Sequence, residues 1–177
     1  MEAVVLRYGH RMVRDERVTT HCCLVSRALG AKKIILCGEQ DQTPIKAVEE
    51  VSKKWGTGFL AEMSGSWEKE LIKHKKNKFK AVHLTMYGQP IEKKIKQIRK
   101  HEKIIVIIGS QKVERKVYAL ADYNIAVTNQ PHSEIAALAI FLHEALKGKK
   151  TKFANPELKI TPSLRGKNVK KKTGATG

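Results

Sequence analysis

Cysteine is scarce in this 177-residue chain, which holds only Cys22, Cys23 and Cys37. Two of the three are adjacent, their number is odd, and no CxxC pair is present. The pattern therefore predicts neither a disulfide framework nor a cysteine-based metal site. Buried free thiols in a reducing compartment are expected instead.

A long apolar run and an amino-terminal leader are also missing. The longest nearly uncharged stretch, residues 125–143, is interrupted by polar residues, a proline and a glutamate, so it is not expected to span a membrane. At the amino terminus the arginines follow the first apolar residues, whereas a secretory leader has its basic residues first. A cytoplasmic protein without a membrane segment is predicted.

Acidic residues are few, with 17 Asp and Glu against 35 Lys and Arg, a net charge of +18. Half of this excess lies in residues 147–177, which hold ten Lys or Arg and one Glu. Such a balance favours a polyanionic partner bound through phosphate contacts, although lysine-rich faces can also serve solubility alone. Because three consecutive lysines at 170–172 close a segment almost free of acid, nucleic acid is the favoured interpretation.

Strand-like and helix-like segments alternate up to residue 147. Residues 104–108 are an unbroken β-branched run, typical of a strand buried on both faces of a parallel sheet. Strands are predicted at 4–6, 33–37, 58–63, 79–86, 104–108 and 125–127. Helices are predicted from Thr19 or Thr20 to Leu29, then at 43–54, 66–76, 91–100 and 113–120, with a final one after residue 133. This alternation predicts an open, mostly parallel α/β sheet with helices on both faces.

The chain divides into two predicted parts. Residues 1–147 form the α/β domain. Residues 148–177 form a basic extension interrupted by prolines and glycines, in which 153–160 has the composition of a strand. Its end, from residue 170, is predicted to be disordered.

Polar loops follow three successive predicted strands, at residues 83–88, 109–113 and 128–135. Ligands of open α/β sheets lie beyond the carboxyl ends of the strands, so these loops are expected to converge on one site. The third loop is the richest, because its polar side chains stand where backbone N–H groups leave a helix start. A site for a polar small molecule is predicted there.

Basic side chains are concentrated in residues 7–21, a predicted polar loop. Its four arginines are Arg7, Arg11, Arg14 and Arg17. Guanidinium groups bind phosphate through paired donors, and the arginines outnumber the two neighbouring acids, Asp15 and Glu16. A phosphate clamp is therefore favoured over simple pairing with those acids at the surface.

Four segments closely resemble the archaeal tRNA cytidine-56 2′-O-methyltransferase family of the SPOUT superfamily. They are residues 7–21, HLTMYG at 83–88, IIGSQKV at 107–113 and ADYNIAVTNQPHSEIAALAIFL at 121–142. The likeness covers about residues 4–147, and the last motif is specific to this family. It implies a homodimer with a C-terminal trefoil knot that methylates a cytidine in the TΨC loop of tRNA without a metal.

The resemblance also implies S-adenosyl-L-methionine as the methyl donor and assigns its binding residues. These are Leu84, Gly109, Ser110, Gln111, Lys112, Val113, Thr128, Asn129, Gln130, Pro131, His132, Ser133, Glu134 and Ile135.

The chain departs from related 2′-O-methyltransferases in their first motif, where an arginine near the partner subunit's donor is assigned to activating the ribose hydroxyl. Matching residues 28–31 to the end of that motif places Leu24 at the usual arginine and Val18 at the usual asparagine. Arg14 and Arg17, just before the motif, are therefore expected to be catalytic.

Two other functions compete with this interpretation. One is a SPOUT methyltransferase for another tRNA or rRNA nucleotide. The other is a non-enzymatic RNA-binding module, which would bind RNA without binding the donor. A dinucleotide-dependent oxidoreductase is disfavoured, because the GxGxxA match at 56–61 follows a predicted helix and opens a predicted strand, the reverse of the required context.

Overall fold

The structure is a computed structural model that describes residues 1–109, 113–148 and 151–171. The strands are β1 (Glu2–His10), β2 (Lys33–Gly38), β3 (Leu60–Ser64), β4 (Lys80–Pro90), β5 (Lys103–Gly109), β6 (Tyr123–Ala126), β7 (Leu158–Ile160) and β8 (Val169–Lys171). The helices are α1 (Met12–Ala28), α2 (Thr43–Trp55), α3 (Trp67–Lys76), α4 (Ile91–Ile98), α5 (Arg115–Leu120) and α6 (Glu134–Ala145). The predicted alternation of strands and helices is confirmed.

The main sheet has six strands in the order β3-β2-β1-β5-β4-β6, and every neighbouring pair is parallel. Most residues of its two central strands, β1 and β5, are buried, because helices cover both faces. The parallel α/β sheet predicted from the β-branched run is therefore confirmed. Strands β7 and β8 form a separate antiparallel pair in the extension.

Two apolar layers hold the helices against the sheet. On one face, side chains such as Val5, Val106 and Leu138 join the sheet to α1, α2, α4 and α6. On the other face, Leu6, Leu71 and Val117 join it to α3 and α5. All six of these side chains are fully buried, so their removal from water is a main source of stability. Alternate residues of each strand feed the two layers, as the two-residue period of a strand requires.

The arginine-rich segment 7–21 is not a loop, and that prediction was wrong. Strand β1 continues to His10, and α1 begins at Met12. The Met12 N–H donates to Glu39 Oε2 over 2.7 Å and the Arg11 N–H donates to Asp15 Oδ2 over 3.2 Å, so carboxylates satisfy the exposed N–H groups of the helix start. Thr19, an expected cap, is buried within the helix.

The ends of several other elements also differ from the prediction, most clearly in β4 and in the extension. Strand β4 runs past residue 86 to Pro90, because Gln89 and Pro90 also pair with β6. In the extension, only residues 158–160 of the strand expected at 153–160 are extended. Lys170 and Lys171 belong to β8, where disorder was predicted, since β7 supplies a pairing partner. The rest of that predicted disordered end, 172–177, lies outside the described residues.

The three thiols match the prediction, since Cys22, Cys23 and Cys37 are free and buried. Burial raises the pKa of each of them to about 12, which keeps them protonated and unreactive near neutral pH. In the part of the chain that the structure describes, no helix is long and apolar enough to cross a membrane.

Candidate active site

A cleft of about 760 Å³ opens beyond the carboxyl ends of β4, β5 and β6, and we call it the main cleft. The structure brings parts of all three polar loops together there. Six of the residues expected to bind the donor line this cleft: Leu84, Gly109, Val113, Pro131, His132 and Glu134. Parallel strands end at the same edge of a sheet, which is why loops far apart in sequence meet.

Among the described residues, Thr128, Asn129, Gln130, Ser133 and Ile135 do not line the main cleft. Ser133 caps α6 by accepting a hydrogen bond from the Ile135 N–H over 3.2 Å. Thr128 and Gln130 lie in the turn before α6, and Ile135 packs against the core. Three further expected residues, Ser110, Gln111 and Lys112, lie outside the described residues.

Asn129 holds the irregular segment of β4, residues 85–88, in place. Its Nδ2 donates to the carbonyl oxygens of Met86 and Gly88, over 2.6 and 3.2 Å. At Gly88 a Cβ atom would lie 2.5 Å from the Ile125 nitrogen, so only glycine allows this segment to approach β6 this closely. The wall of the main cleft is therefore fixed by contacts to backbone atoms.

A buried hydrogen-bond network supports the floor of the cleft. Asn124 Nδ2 donates to the Tyr118 carbonyl over 3.0 Å, which turns Asn124 Oδ1 toward His83 Nδ1, 2.9 Å away. Since that oxygen can only accept, His83 Nδ1 carries the proton and Nε2 holds a lone pair. Burial lowers the pKa of His83 and outweighs the opposing effect of the Asn124 contact, so the imidazole is neutral at pH 7.

A smaller side cleft of about 390 Å³ adjoins the main cleft and shares Gly109, His132 and Glu134 with it. Its remaining lining comes from Arg14, Asp15, Val18 and Ser133. The first turns of α1 thus face the start of α6 across this cleft. A ligand in the side cleft would lie next to a ligand in the main cleft.

The structure separates the four clustered arginines. Arg7 is fully buried in β1, and its Nη2 donates to Glu134 Oε1 over 2.8 Å, so it cannot clamp a phosphate at the surface. The Nε atoms of Arg11 and Arg14 lie 3.6 and 3.8 Å from carboxylate oxygens of Asp15. These two arginines therefore pair with a neighbouring acid, which was the alternative to a phosphate clamp. Arg14 nevertheless lines the side cleft, whereas Arg17 is exposed and lines neither cleft.

The junction between β1 and α1 is anchored by His10, the last residue of β1, which the sequence prediction treated as part of a polar loop. Its Nδ1 lies 2.7 Å from Thr19 Oγ1, and its Nε2 lies 3.2 Å from Asp41 Oδ2. Burial would raise the pKa of Asp41, but hydrogen bonds from Thr43 and His10 lower it below the ordinary value. This buried cluster positions the start of α1, and with it Arg14.

Sequence reasoning missed Tyr118, which lines the main cleft from the short helix α5. Its hydroxyl lies 2.9 Å from Thr85 Oγ1, and its ring meets the His83 ring edge-on with centroids 4.6 Å apart. No polar loop or motif surrounds Tyr118 in the sequence. Only the packing of α5 under the ends of the strands brings it to the site.

The sequence matches the family described as tRNA ribose 2′-O-methyltransferase, aTrm56, over residues 55–170. It is 47% identical over 171 residues to a tRNA (cytidine(56)-2′-O)-methyltransferase of Thermococcus kodakarensis strain KOD1, covering 93% of this chain and 94% of that protein. The chain belongs to this methyltransferase family. As a member of the family, it is an RNA-modifying enzyme.

Solved methyltransferase structures share its fold. A crystal structure of an RNA 2′-O ribose methyltransferase superposes with a TM-score of 0.63 at 15% identity, over 83% of this chain. The SpoU methyltransferase AviRb of Streptomyces viridochromogenes, in complex with the cofactor AdoMet, gives a TM-score of 0.58 at 15% identity over 82%. The chain spans 56% of each of these two longer chains. The likeness therefore concerns the fold of the α/β domain that they have in common with this chain.

Proposed function

We propose that the protein transfers a methyl group from S-adenosyl-L-methionine to the ribose 2′-hydroxyl of cytidine 56 in tRNA. The observation that carries this proposal is the main cleft, built by residues 83–87 of β4 and the segments after β5 and β6 in a chain of the tRNA 2′-O-methyltransferase family. The relatives' substrate supports position 56.

The residues of the main cleft fit this donor. A volume of about 760 Å³ lies within the range of small-molecule sites, and apolar walls from Leu84, Ile125 and Ala137 suit an adenosyl group. A Cβ at Gly109 would collide with the Val113 side chain, so glycine keeps that wall open. Leu84, Gly109, Val113, Pro131, His132 and Glu134 would hold the donor.

Bound there, S-adenosyl-L-methionine supplies a methyl group already activated by a sulfonium. The protein then has to orient the ribose oxygen and help its proton leave. In the side cleft, the Arg14 guanidinium can bind the phosphate beside that ribose through paired N–H donors. Arg14 is therefore the preferred catalytic candidate. Arg17 has no comparable position.

A homodimer, a C-terminal trefoil knot and a cytoplasmic location belong to this proposal, on the strength of the family resemblance. Large apolar side chains at Val13 on α1 and Ile140 on α6, 95% and 47% exposed, support a dimer contact on these two neighbouring helices. Light scattering after gel filtration would give the oligomeric state directly. A monomer at micromolar concentration would contradict this part.

The decisive experiment is methyl transfer from labelled S-adenosyl-L-methionine to an unmodified tRNA transcript, followed by nuclease digestion and mass spectrometry. Label on the ribose of cytidine 56 is the expected result. A transcript with 2′-deoxycytidine at that position is the matched control and should stay unlabelled. Label on another nucleotide would contradict the assigned position, and donor binding without any labelling would indicate a different RNA.

A further inference from the structure

Tyr87 stands out because it is 76% exposed although it lies on the rim of the main cleft. The same residue lines a second, polar cleft of about 620 Å³ on the outer side of the sheet, which we call the edge cleft. Tyrosine usually buries much of its ring in a folded protein. An exposed ring shared by two clefts therefore suggests contact with a ligand.

The backbone that carries this ring is held firmly. Asn129 binds the carbonyl oxygens on both sides of Tyr87, those of Met86 and Gly88. Gly88 also lies close to the β6 backbone at Ile125, and this contact fixes the same segment of β4. A ring presented from a fixed backbone loses little conformational entropy when it binds, which favours its use as a contact surface.

The edge cleft has the chemistry of a nucleotide site. Lys80 and Lys94 contribute positive charge, and the side chains of Gln89 and Gln97 contribute amide donors and acceptors. The single acid there, Asp122, is already paired with Lys80 and Lys75, each over 3.4 Å. In a chain of net charge +18, this cleft is suited to a phosphate backbone.

We propose that Tyr87 stacks an unpaired base of the RNA substrate, while Lys80 and Lys94 contact the phosphates of that nucleotide in the edge cleft. Single-stranded RNA is commonly held in this way, by aromatic stacking combined with basic side chains. Because Tyr87 also borders the main cleft, the stacked nucleotide would lie beside the bound donor. This inference rests on the proposed function and adds an RNA contact to it.

The test measures tRNA affinity and donor affinity separately, for Tyr87→Ala, Tyr87→Phe and Lys94→Gln. Loss of one stacked base should weaken tRNA binding by Tyr87→Ala about 5- to 150-fold, with its salt dependence unchanged. The matched Tyr87→Phe variant keeps the ring and should bind like the wild type. Lys94→Gln should weaken binding and lower the salt slope by about 0.7–0.9. Calorimetric titration with S-adenosyl-L-methionine should give the wild-type Kd for Lys94→Gln, which lies outside the main cleft, and for Tyr87→Phe, which keeps the ring.

Two results would overturn the inference. Wild-type tRNA affinity in Tyr87→Ala would show that the ring does not contact RNA. Weaker donor binding in Tyr87→Ala, with Tyr87→Phe restoring it, would make Tyr87 a wall of the donor site instead. Failure of the proposed function can be told apart from failure of this inference, because the wild type itself would then neither bind nor methylate tRNA. In that case the inference would fail as well.

Discussion

Arg7 and Glu134, 127 positions apart in the chain, form a buried ion pair in which Arg7 Nη2 lies 2.8 Å from Glu134 Oε1. The pair joins the central strand β1 to the first residue of α6, where the main and side clefts meet. The Arg7 side chain is 0% exposed and that of Glu134 is 21% exposed. Burial raises the pKa of Glu134, and the Arg7 charge opposes that shift only in part.

Removing either partner should destabilise the protein, with different pH dependence. Arg7→Met should lower the free energy of unfolding by about 3–5 kcal/mol near pH 7, because it leaves an unpaired carboxylate. Glu134, whose folded pKa is raised, can then take up a proton. Protonation removes the unpaired charge, so the Arg7→Met protein regains stability at low pH and loses it as pH rises through the folded pKa of Glu134. Its stability deficit relative to the wild type should therefore shrink on acidification.

Glu134→Gln is the matched comparison, because it removes the carboxylate and leaves the buried Arg7 side chain without its ion-pair partner. Because only the wild type keeps a carboxyl with a raised folded pKa at this position, the stability deficit of Glu134→Gln should not shrink between pH 8 and pH 5. Urea unfolding of both variants and the wild type at these two pH values would measure the difference. The same pH dependence in both variants would show that Glu134 does not titrate on losing its partner.

Arg14 and Arg17 lie three residues apart on α1 and provide a second matched comparison. Arg14 lines the side cleft and Arg17 does not, so Arg14→Ala should reduce methyl transfer about 100-fold. Arg17→Ala should change the rate by about twofold or less, as expected for an exposed residue. Single-turnover rates with saturating donor and tRNA would test this. Equal losses in the two variants would indicate a general contribution of charge to RNA binding.

Gly88 and Gly65 provide a third pair. A Cβ at Gly88 would meet backbone atoms of Asn124 and Ile125 at 2.5–2.6 Å, whereas a Cβ at Gly65 meets nothing within 4 Å. Gly88→Ala should therefore cost about 1–3 kcal/mol of stability and weaken donor binding, because backbone cannot move aside easily. Gly65→Ala should be neutral or slightly stabilising. Thermal unfolding and donor titration would show this contrast, and a fully stable Gly88→Ala would contradict it.

Truncation of the basic extension should separate folding from RNA binding. Phe153 lies 3.9 Å from the Arg27 guanidinium, and Thr57 bridges to Ala154, so the first part of the extension contacts the α/β domain. A chain ending at Glu157 keeps these contacts but loses the basic β7–β8 segment. It should bind tRNA about tenfold or more weakly, with a smaller salt slope and unchanged donor affinity.

A chain ending at Lys147 also loses Phe153, so it should additionally lose about 1–2 kcal/mol of stability. Anisotropy with labelled tRNA and chemical unfolding of both truncated chains would test these expectations. If the chain ending at Glu157 bound tRNA as tightly as the full-length protein, the β7–β8 segment would have no part in RNA binding.

Prediction from sequence succeeded where the signal is local. The β-branched run at 104–108 identified a buried strand, and the helix predicted at 66–76 corresponds to α3, which Ser66 caps by accepting from the Lys69 N–H. It failed at residues 7–21, because the carboxylate of Glu39, which satisfies the start of α1, comes from a distant loop. The role of the Asn129 amide in holding residues 86–88 of β4 was likewise not visible in the sequence, because its partners are backbone atoms more than 40 positions away.

By itself, the sequence determined the parallel α/β sheet, the edge at which its polar loops meet and, through its motifs, the methyltransferase family. These depend on hydrophobic periodicity and on short motifs, which act over a few residues. The tertiary structure alone decided that Arg7 is buried against Glu134, that Arg14 reaches a cleft and Arg17 does not, and that Tyr87 is left exposed. Such outcomes depend on which distant side chains share a buried space, and no local pattern encodes that.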